Sequence, residues 1–139
     1  MAVAQSGNTS KAVLSVHNLA VGFPTRRGML TAVDGVSFEI TAGEVLGVVG
    51  ESGAGKSLTG AAVIGLLEPP GRILRGEIRL HGRRIDNLPV EEMRRVRGRR
   101  IGMVFQDPLT SLNPLYRIGD QIVETIRTHA PISESAARE

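Results

Sequence analysis

Polar and apolar residues alternate along the first part of the chain in the way that is typical of half-buried strands. Residues 13–23 alternate poorly at their centre and cleanly at their end, which predicts a strand with a bulge. Residues 36–40 alternate strictly and predict an antiparallel strand with one buried face. Residues 25–30 and 41–44 are polar and contain glycine, so we expect turns there, and 76–82 predicts the first strand of a second hairpin.

Later segments have different patterns. Residues 45–49 (VLGVV) and 101–105 (IGMVF) are apolar on both faces, which predicts strands buried between two layers of helices. Helical spacing is found over 56–68, where Pro69 and Pro70 are expected to stop the helix, over a short segment from 90 to 97, and over 118–129. An antiparallel β portion therefore leads into an α/β portion, and the predicted fold class is α/β.

The composition is typical of a single domain in a reducing compartment. The 139 residues are 41% hydrophobic, and the absence of cysteine excludes a disulfide scaffold and thiolate metal sites. No apolar run approaches the roughly 18 residues that span a bilayer, and the first eleven residues lack the pattern of a signal peptide. We expect residues 1–11 to form a disordered tail and 12–139 to form the domain of a cytoplasmic protein.

The charge is uneven. The net charge is +3, and ten of the fifteen arginines lie between Arg72 and Arg100. Such a run is typical either of a surface that binds nucleic acid or phosphate, or of a solvated helix face. No aromatic residues are interleaved with the arginines, as stacking on single strands would require, and this favours the solvated face and no nucleic-acid partner.

Residues 50–57, GESGAGKS, follow a predicted strand and open a predicted helix, which is the context that the pattern G-x-x-x-x-G-K-[ST] requires. Glycines allow the backbone to curl so that successive N–H groups face a phosphate, and the following helix adds its positive end. Lys56 supplies a charge for the β and γ phosphates, and the Ser57 hydroxyl suits Mg²⁺. The alternative is a glycine-rich turn that only joins strand to helix, but the context favours nucleotide binding.

The loop alone leaves three classes open: an ABC-type transporter ATPase, a small-molecule kinase, and a regulatory or GTP-binding protein. A kinase usually has its phosphate-binding strand near the N-terminus rather than after two antiparallel strands. A GTPase needs an N-K-x-D motif to read the base, and this sequence has none.

Three segments carry a resemblance to one family: GEVLGVVGESGAGKS, RRIGMVFQDPLTSLNP and IGDQIVETI. They resemble the ATP-binding subunits of ABC transporters over residues 13–127, and FQDPLTSLNP resembles the importers of dipeptides, oligopeptides and nickel. The resemblance implies a P-loop NTPase fold of the ABC type, in which a RecA-like core carries an antiparallel β subdomain. It also implies ATP and Mg²⁺ as cofactors, and membrane permease subunits and a second ATP-binding subunit as partners at the cytoplasmic face of the membrane.

The resemblance assigns roles to particular residues. Phe23 matches the aromatic residue that stacks on adenine, Val33 a smaller apolar contact beneath the base, and Gln106 the Q-loop glutamine that reaches Mg²⁺ and the attacking water. The implied ATP site consists of Phe23, Val33, Gly50, Glu51, Ser52, Gly53, Ala54, Gly55, Lys56, Ser57, Leu58 and Gln106, with Ser57 and Gln106 as Mg²⁺ ligands. The implied permease contact consists of Asp107, Pro108, Leu109, Thr110, Ser111, Leu112, Asn113 and Pro114.

Other motifs of the family are not found in these 139 residues: the LSGGQ signature, an apolar run that ends in Asp-Glu, and the switch histidine. We therefore assign no catalytic residue and expect the N-terminal part of an ATP-binding domain that at most binds nucleotide. Two interpretations stay open. The chain is either part of the ATPase subunit of a peptide importer, or a nucleotide-binding chain that does not catalyse hydrolysis. The sequence does not identify the transported solute.

Overall fold

The computed structural model describes residues 2–3, 12–106 and 111–139, and it divides into two compact units, one up to Met93 and one from Arg94 to Glu139. The elements in chain order are β1 (Ala2–Val3), β2 (Ala12–Thr25), β3 (Gly28–Thr41), β4 (Val48–Val49), α1 (Lys56–Val63), β5 (Arg72–Leu80), β6 (Arg83–Arg84), α2 (Val90–Val96), α3 (Ile118–His129) and α4 (Glu134–Arg138).

An antiparallel sheet of four strands, in the order β3-β2-β5-β6, dominates the first unit. Its central strand β2 contributes side chains that are 0–1% exposed, and Ile78 of β5 is equally buried. The fully buried side chains of the sheet are Val16, Leu19, Val21 and Ile78. Helix α1 contacts β2 and buries Ala62 and Val63. The core is therefore built from aliphatic residues, as the scarcity of aromatic residues requires.

The predicted bulge in β2 is confirmed. The pairing of β2 with β3 shifts between Val16 and Leu19, and Asn18 adopts a positive φ of 47°. The Asn18 N–H donates a hydrogen bond of 2.8 Å to Ser37 Oγ, so the backbone group that the bulge withdraws from the ladder has a partner. The bulge is thus anchored to β3.

The hairpin of β5 and β6 confirms the predicted second hairpin, and Asp86 follows it. The Asp86 carboxylate accepts hydrogen bonds from the Ile78 N–H at 2.8 Å and from Arg84 Nη2 at 2.8 Å. Burial works to raise the pKa of Asp86, but the hydrogen bonds from Arg84 and Ile78 outweigh it and lower the pKa below its usual value of 3.8. The charged carboxylate therefore stabilises the hairpin.

Helix α1 is shorter than predicted, because the pattern suggested residues 56–68 and the helix ends at Val63. Gly65 has a φ of 65° and its N–H donates to the Ala62 carbonyl, while the Leu66 N–H donates to the Ala61 carbonyl at 2.8 Å. These two bonds form the glycine-based C-terminal cap known as the Schellman motif. Gly65 therefore ends the helix, well before the prolines at which we expected it to stop.

The prediction that residues 45–49 form a buried strand is wrong for this chain. Only β4 is extended, and it pairs antiparallel with β1 through Ala2 with Val49 and Val3 with Val48. Val45 is 95% exposed and Val49 is 67% exposed. A strand is buried on both faces only when other elements cover both, and in the described part of the chain β4 pairs with β1 alone.

The prediction that residues 101–105 form a second buried strand is also wrong here. Ile101 makes an isolated bridge to Arg97, and the following four residues have no regular structure. Val104 is 90% exposed and Phe105 is 53% exposed. An extended segment becomes a strand only when it has a ladder partner, and among the described residues only the bridge at Ile101 supplies one.

In the second unit, α3 spans residues 118–129 as predicted, and its one fully packed side chain is Val123. The sequence pattern did not predict α4, which Ser133 caps by accepting a hydrogen bond of 3.2 Å from the Ala136 N–H. Arg138 ties α4 to α3 through Asp120 at 2.8 Å. No helix in the described ranges is long and apolar enough to cross a membrane.

β1 lies within the segment predicted to be a disordered tail, and the rest of residues 1–11 lies outside the described residues. That prediction therefore stays a prediction for most of the segment.

Candidate nucleotide-binding site

The segment GESGAGKS forms a tight curl between β4 and α1. Gly53 and Gly55 have φ angles of 82° and 84°, in the left-handed region that side chains other than glycine disfavour. The Ala54 N–H donates to the Glu51 carbonyl at 3.1 Å and closes the turn. The Gly55 carbonyl accepts from both the N–H and the hydroxyl of Thr59, at 2.8 and 2.9 Å, which joins the curl to the first turn of α1. The glycines therefore form a tight curl between strand and helix, and its binding of phosphate stays a prediction.

Lys56 folds back over this curl. Its Nζ donates hydrogen bonds of 2.6 Å to the Gly50 carbonyl and 2.7 Å to the Glu51 carbonyl. Lys56 is half-buried, so its positive charge is held against the backbone of the loop. Hydrogen bonds from an ammonium group to neutral carbonyls are weaker than those to phosphate oxygens. Lys56 can therefore exchange its two carbonyl partners for the oxygens of a phosphate.

Val33 of β3 lies directly against the loop. A Cβ atom placed on Gly55 would be 2.8 Å from Val33 Cγ2 and 3.3 Å from the Ala32 carbonyl oxygen, and Val33 is 4% exposed. Gly55 is thus required twice, for its φ angle and for this close approach. The structure therefore brings Val33 together with the loop, 22 residues further along the chain, whereas its contact with a base stays a prediction.

A groove of about 350 Å³ lies between the same two elements. Residues 32–37 of β3 form one side of it, and Ala54 of the loop contributes to the other. The groove is therefore next to the glycine curl.

Phe23 is found near the end of β2, paired with Leu30 of β3. Its half-buried ring lies against Gly71, where an added Cβ would be 2.6 Å from Phe23 Cε1 and 3.0 Å from Cζ. The ring therefore packs on the backbone that leads into β5. Its stacking on adenine stays a prediction.

Ser57 is exposed on α1 immediately after Lys56, and Leu58 is half-buried. Among the described residues no group of three or more His, Asp or Glu side chains could hold a metal ion. The Ser57 hydroxyl is an oxygen ligand of the kind that Mg²⁺ favours, and its role as a Mg²⁺ ligand stays a prediction. Gln106 is exposed and belongs to the second unit, so its place beside the loop stays a prediction.

The predicted permease contact is described only in part. Residues 107–110 lie outside the described residues, and Ser111, Leu112, Asn113 and Pro114 are all exposed. Gln121 of α3 fixes this turn: its Oε1 accepts from the Asn113 N–H at 2.8 Å, and its Nε2 donates to the carbonyls of Asn113 and Tyr116 at 2.9 and 3.1 Å. Sequence reasoning missed Gln121, because a polar residue on a surface helix carries no signal of such contacts.

Comparisons with known proteins indicate the family and the fold of the chain. A family model described as ABC transporter matches residues 33–138. The oligopeptide transport ATP-binding protein OppD of Bacillus subtilis is 47% identical over 127 residues, which are 91% of this chain and 36% of that protein. The dipeptide transport ATP-binding protein DppD of Escherichia coli is 40% identical over 128 residues, which are 92% of this chain and 39% of that protein. The chain thus spans well under half the length of these curated relatives.

One solved structure shows the same fold. The ATP-binding cassette MJ0796, in a dimeric post-hydrolysis state bound to ADP and Pi, superposes with a TM-score of 0.77 at 22% identity and covers 90% of this chain and 52% of that one. The predicted ABC-type P-loop fold with its antiparallel sheet is therefore confirmed.

Proposed function

Because the chain belongs to the ABC transporter family of ATP-binding proteins, we propose that it binds ATP through residues 50–58 and acts as the ATP-binding subunit that energises peptide import across the cytoplasmic membrane. The observation that carries the proposal is the position of Lys56 over the glycine curl, with its Nζ on the carbonyls of Gly50 and Glu51. The names of the relatives OppD and DppD support oligopeptides or dipeptides as the solute.

In this proposal the phosphates enter the curl that Lys56 covers. Its ammonium group leaves the two carbonyls for phosphate oxygens, and the N–H groups of the loop and of the first turn of α1 donate to the same phosphates. Mg²⁺, when bound, would neutralise phosphate charge beside the Ser57 hydroxyl. Gly53 and Gly55 already hold the backbone of the curl at left-handed angles.

The nucleoside part then extends along the groove beside Ala54. We assign Val33 to the apolar side of the base and Phe23 to its stacking partner, since an aromatic face suits a purine. Gln106 is assigned to Mg²⁺ and the attacking water. The roles of Val33, Phe23 and Gln106 are inferred from the resemblance of the sequence to the ABC transporter family. Of these three residues, Val33 is the one that lies against the glycine loop.

The partners in this proposal are membrane permease subunits and a second ATP-binding subunit. Residues 107–114 are assigned to the permease contact. Residues 111–114 are exposed, and the hydrogen bonds of Gln121 to Asn113 hold their turn in place, which supports a contact surface there. The dimeric state of MJ0796 supports pairing of two ATP-binding subunits.

The proposal is tested in cells that carry the gene for this chain. Lys56→Ala is introduced at the chromosomal locus, and uptake of a labelled dipeptide, a labelled oligopeptide and nickel is measured, with Arg79→Ala as the control variant outside the loop. We expect Lys56→Ala to abolish uptake of at least one peptide and Arg79→Ala to leave it intact. Unchanged peptide uptake in Lys56→Ala would contradict the proposal, and loss of nickel uptake alone would replace the solute.

A further inference from the structure

One wall of the groove beside the phosphate loop is held by an ion pair that spans three strands. The Arg75 guanidinium of β5 reaches across β2 and pairs with Asp34 of β3, and Arg75 Nε also donates a longer hydrogen bond of 3.4 Å to Asn18 Oδ1 in the bulge of β2. Asp34 is the neighbour of Val33 and lies within the segment 32–37 that lines the groove. The bulge is thus connected to both neighbouring strands, β3 and β5, beside the site.

Two glycines lie close to this cluster. A Cβ on Gly76 would be 2.6 Å from the Asn18 carbonyl oxygen, so β5 packs closely on the bulge right after Arg75. Gly35 has a φ of 68°, and a Cβ there would lie 3.7 Å from both Arg75 Nη2 and Asn18 Oδ1. Two glycines with positive φ therefore bring β5 close to the bulge and leave room for the Arg75 guanidinium beside Asn18.

We propose that Arg75 is a positioning residue for the nucleoside end of the ligand, an inference that rests on the proposed nucleotide binding. By pairing with Asp34, it holds the unpaired Asp34-Gly35 part of the groove wall next to Val33 and thereby sets the width of the groove. The phosphate cradle does not depend on it, because the curl is closed by its own bonds from Ala54 to Glu51 and from Thr59 to Gly55.

The expected effect is small and selective. The Arg75 and Asp34 side chains are 52% and 66% exposed, so the ion pair adds little to the stability of the whole fold. Its loss lets Asp34 and Gly35 shift between the paired residues Val33 and Val36, and this should weaken contacts to a base and a ribose without weakening contacts to phosphates. A role in stability alone would weaken binding of ATP and of inorganic triphosphate equally.

The experiment uses the purified chain and measures displacement of a fluorescent ATP analogue by ATP and by inorganic triphosphate. For Arg75→Ala we expect the Kd for ATP to rise roughly two- to fivefold while that for triphosphate stays unchanged. Arg75→Lys should restore part of the loss, since an ammonium can pair with Asp34 but lacks the separate Nε and Nη2 donors with which the guanidinium contacts Asn18 and Asp34. Arg79→Ala is the matched control, because Arg79 is also on β5 and pairs with Glu77 at 2.9 Å with 43% of its side chain exposed.

Equal losses for both ligands, or no loss in Arg75→Ala, would overturn the inference while leaving the proposed nucleotide binding intact. Failure of the unaltered chain to bind either ligand would overturn both. If Arg75→Ala does not fold, as judged by its circular dichroism spectrum, Asp34→Asn breaks the same ion pair with little change in volume and must show the same selective loss.

Discussion

Replacing Gly55 by alanine should damage both the fold and the site, and the structure supplies two controls that separate the causes. Gly43, Gly53 and Gly55 have nearly the same φ angles, 77°, 82° and 84°. Nothing lies within 4 Å of a Cβ added to Gly43 or Gly53, whereas a Cβ on Gly55 would be 2.8 Å from Val33 Cγ2. The three alanine variants therefore share one backbone strain, and only one of them adds a collision.

The magnitudes follow from these two terms. Alanine in the left-handed region costs about 1–2 kcal/mol, which is the whole expected loss for Gly43→Ala and Gly53→Ala. Val33 is 4% exposed, so it cannot move aside without disturbing the core, and an extra carbon there costs about 1–3 kcal/mol more. Gly55→Ala should therefore lose about 2–5 kcal/mol of unfolding free energy.

The assay is urea unfolding followed by circular dichroism, with binding of a fluorescent ATP analogue measured on the same samples. We expect Gly43→Ala to keep its nucleotide affinity, because its turn is outside the loop, and both loop variants to lose affinity. If Gly55→Ala were no less stable than Gly53→Ala, the packing of β3 against the loop would be refuted.

Three further predictions concern other parts of the chain. Phe23→Ala should weaken binding of ATP more than that of triphosphate, by about 1 kcal/mol, and equal losses would mean that the ring only packs on the backbone. Because the pKa of Asp86 is lowered in the folded chain, its contribution to stability is complete well above pH 3.8 and is lost as the pH falls through 3.8 and then through the lower folded value. Urea unfolding between pH 5 and pH 2 should therefore show a smaller acid destabilisation in Asp86→Asn, and parallel curves for the two proteins would contradict this. Val45 and Val104 are 95% and 90% exposed, so the purified chain should bind ANS or self-associate, and a monomer without an ANS signal would show that these side chains are covered in solution.

Local patterns in the sequence were sufficient for the elements whose partners are near in the chain. The bulge of β2, the β5–β6 hairpin and the bounds of α3 all follow from alternation or helical spacing within one segment. The shape of the phosphate loop is predictable for the same reason, because its glycines allow it through their own backbone angles. Such features depend on few distant residues, and the structure reproduces them.

The apolar runs at 45–49 and 101–105 show where that reasoning stops. An apolar run indicates that a segment can be buried on both faces, but it does not state which strand pairs with it or what covers it. In the described residues Val45 and Val104 remain exposed. The early end of α1 is a different kind of error, since Gly65 is a visible stop signal and we gave more weight to the prolines that follow it.

The site shows the same division. The sequence predicted Lys56 and the glycines from their spacing, whereas the contact of Gly55 with Val33 and the bridge from Arg75 to Asp34 depend on how β3, β2 and β5 are ordered in the sheet. Residues that are 22 and 41 positions apart meet only once that order is known. No local pattern carries this information.

The most direct test of nucleotide binding is a titration of the purified chain and of Lys56→Ala with a fluorescent ATP analogue in the presence of Mg²⁺. Lys56 offers the loop its one ammonium group, now bonded to Gly50 and Glu51, and bonds from it to phosphate are charge-assisted. The unaltered chain should bind, and Lys56→Ala should lose at least about 100-fold in affinity with an unchanged circular dichroism spectrum. Equal binding by the two proteins would contradict the assignment of residues 50–57 as a phosphate cradle.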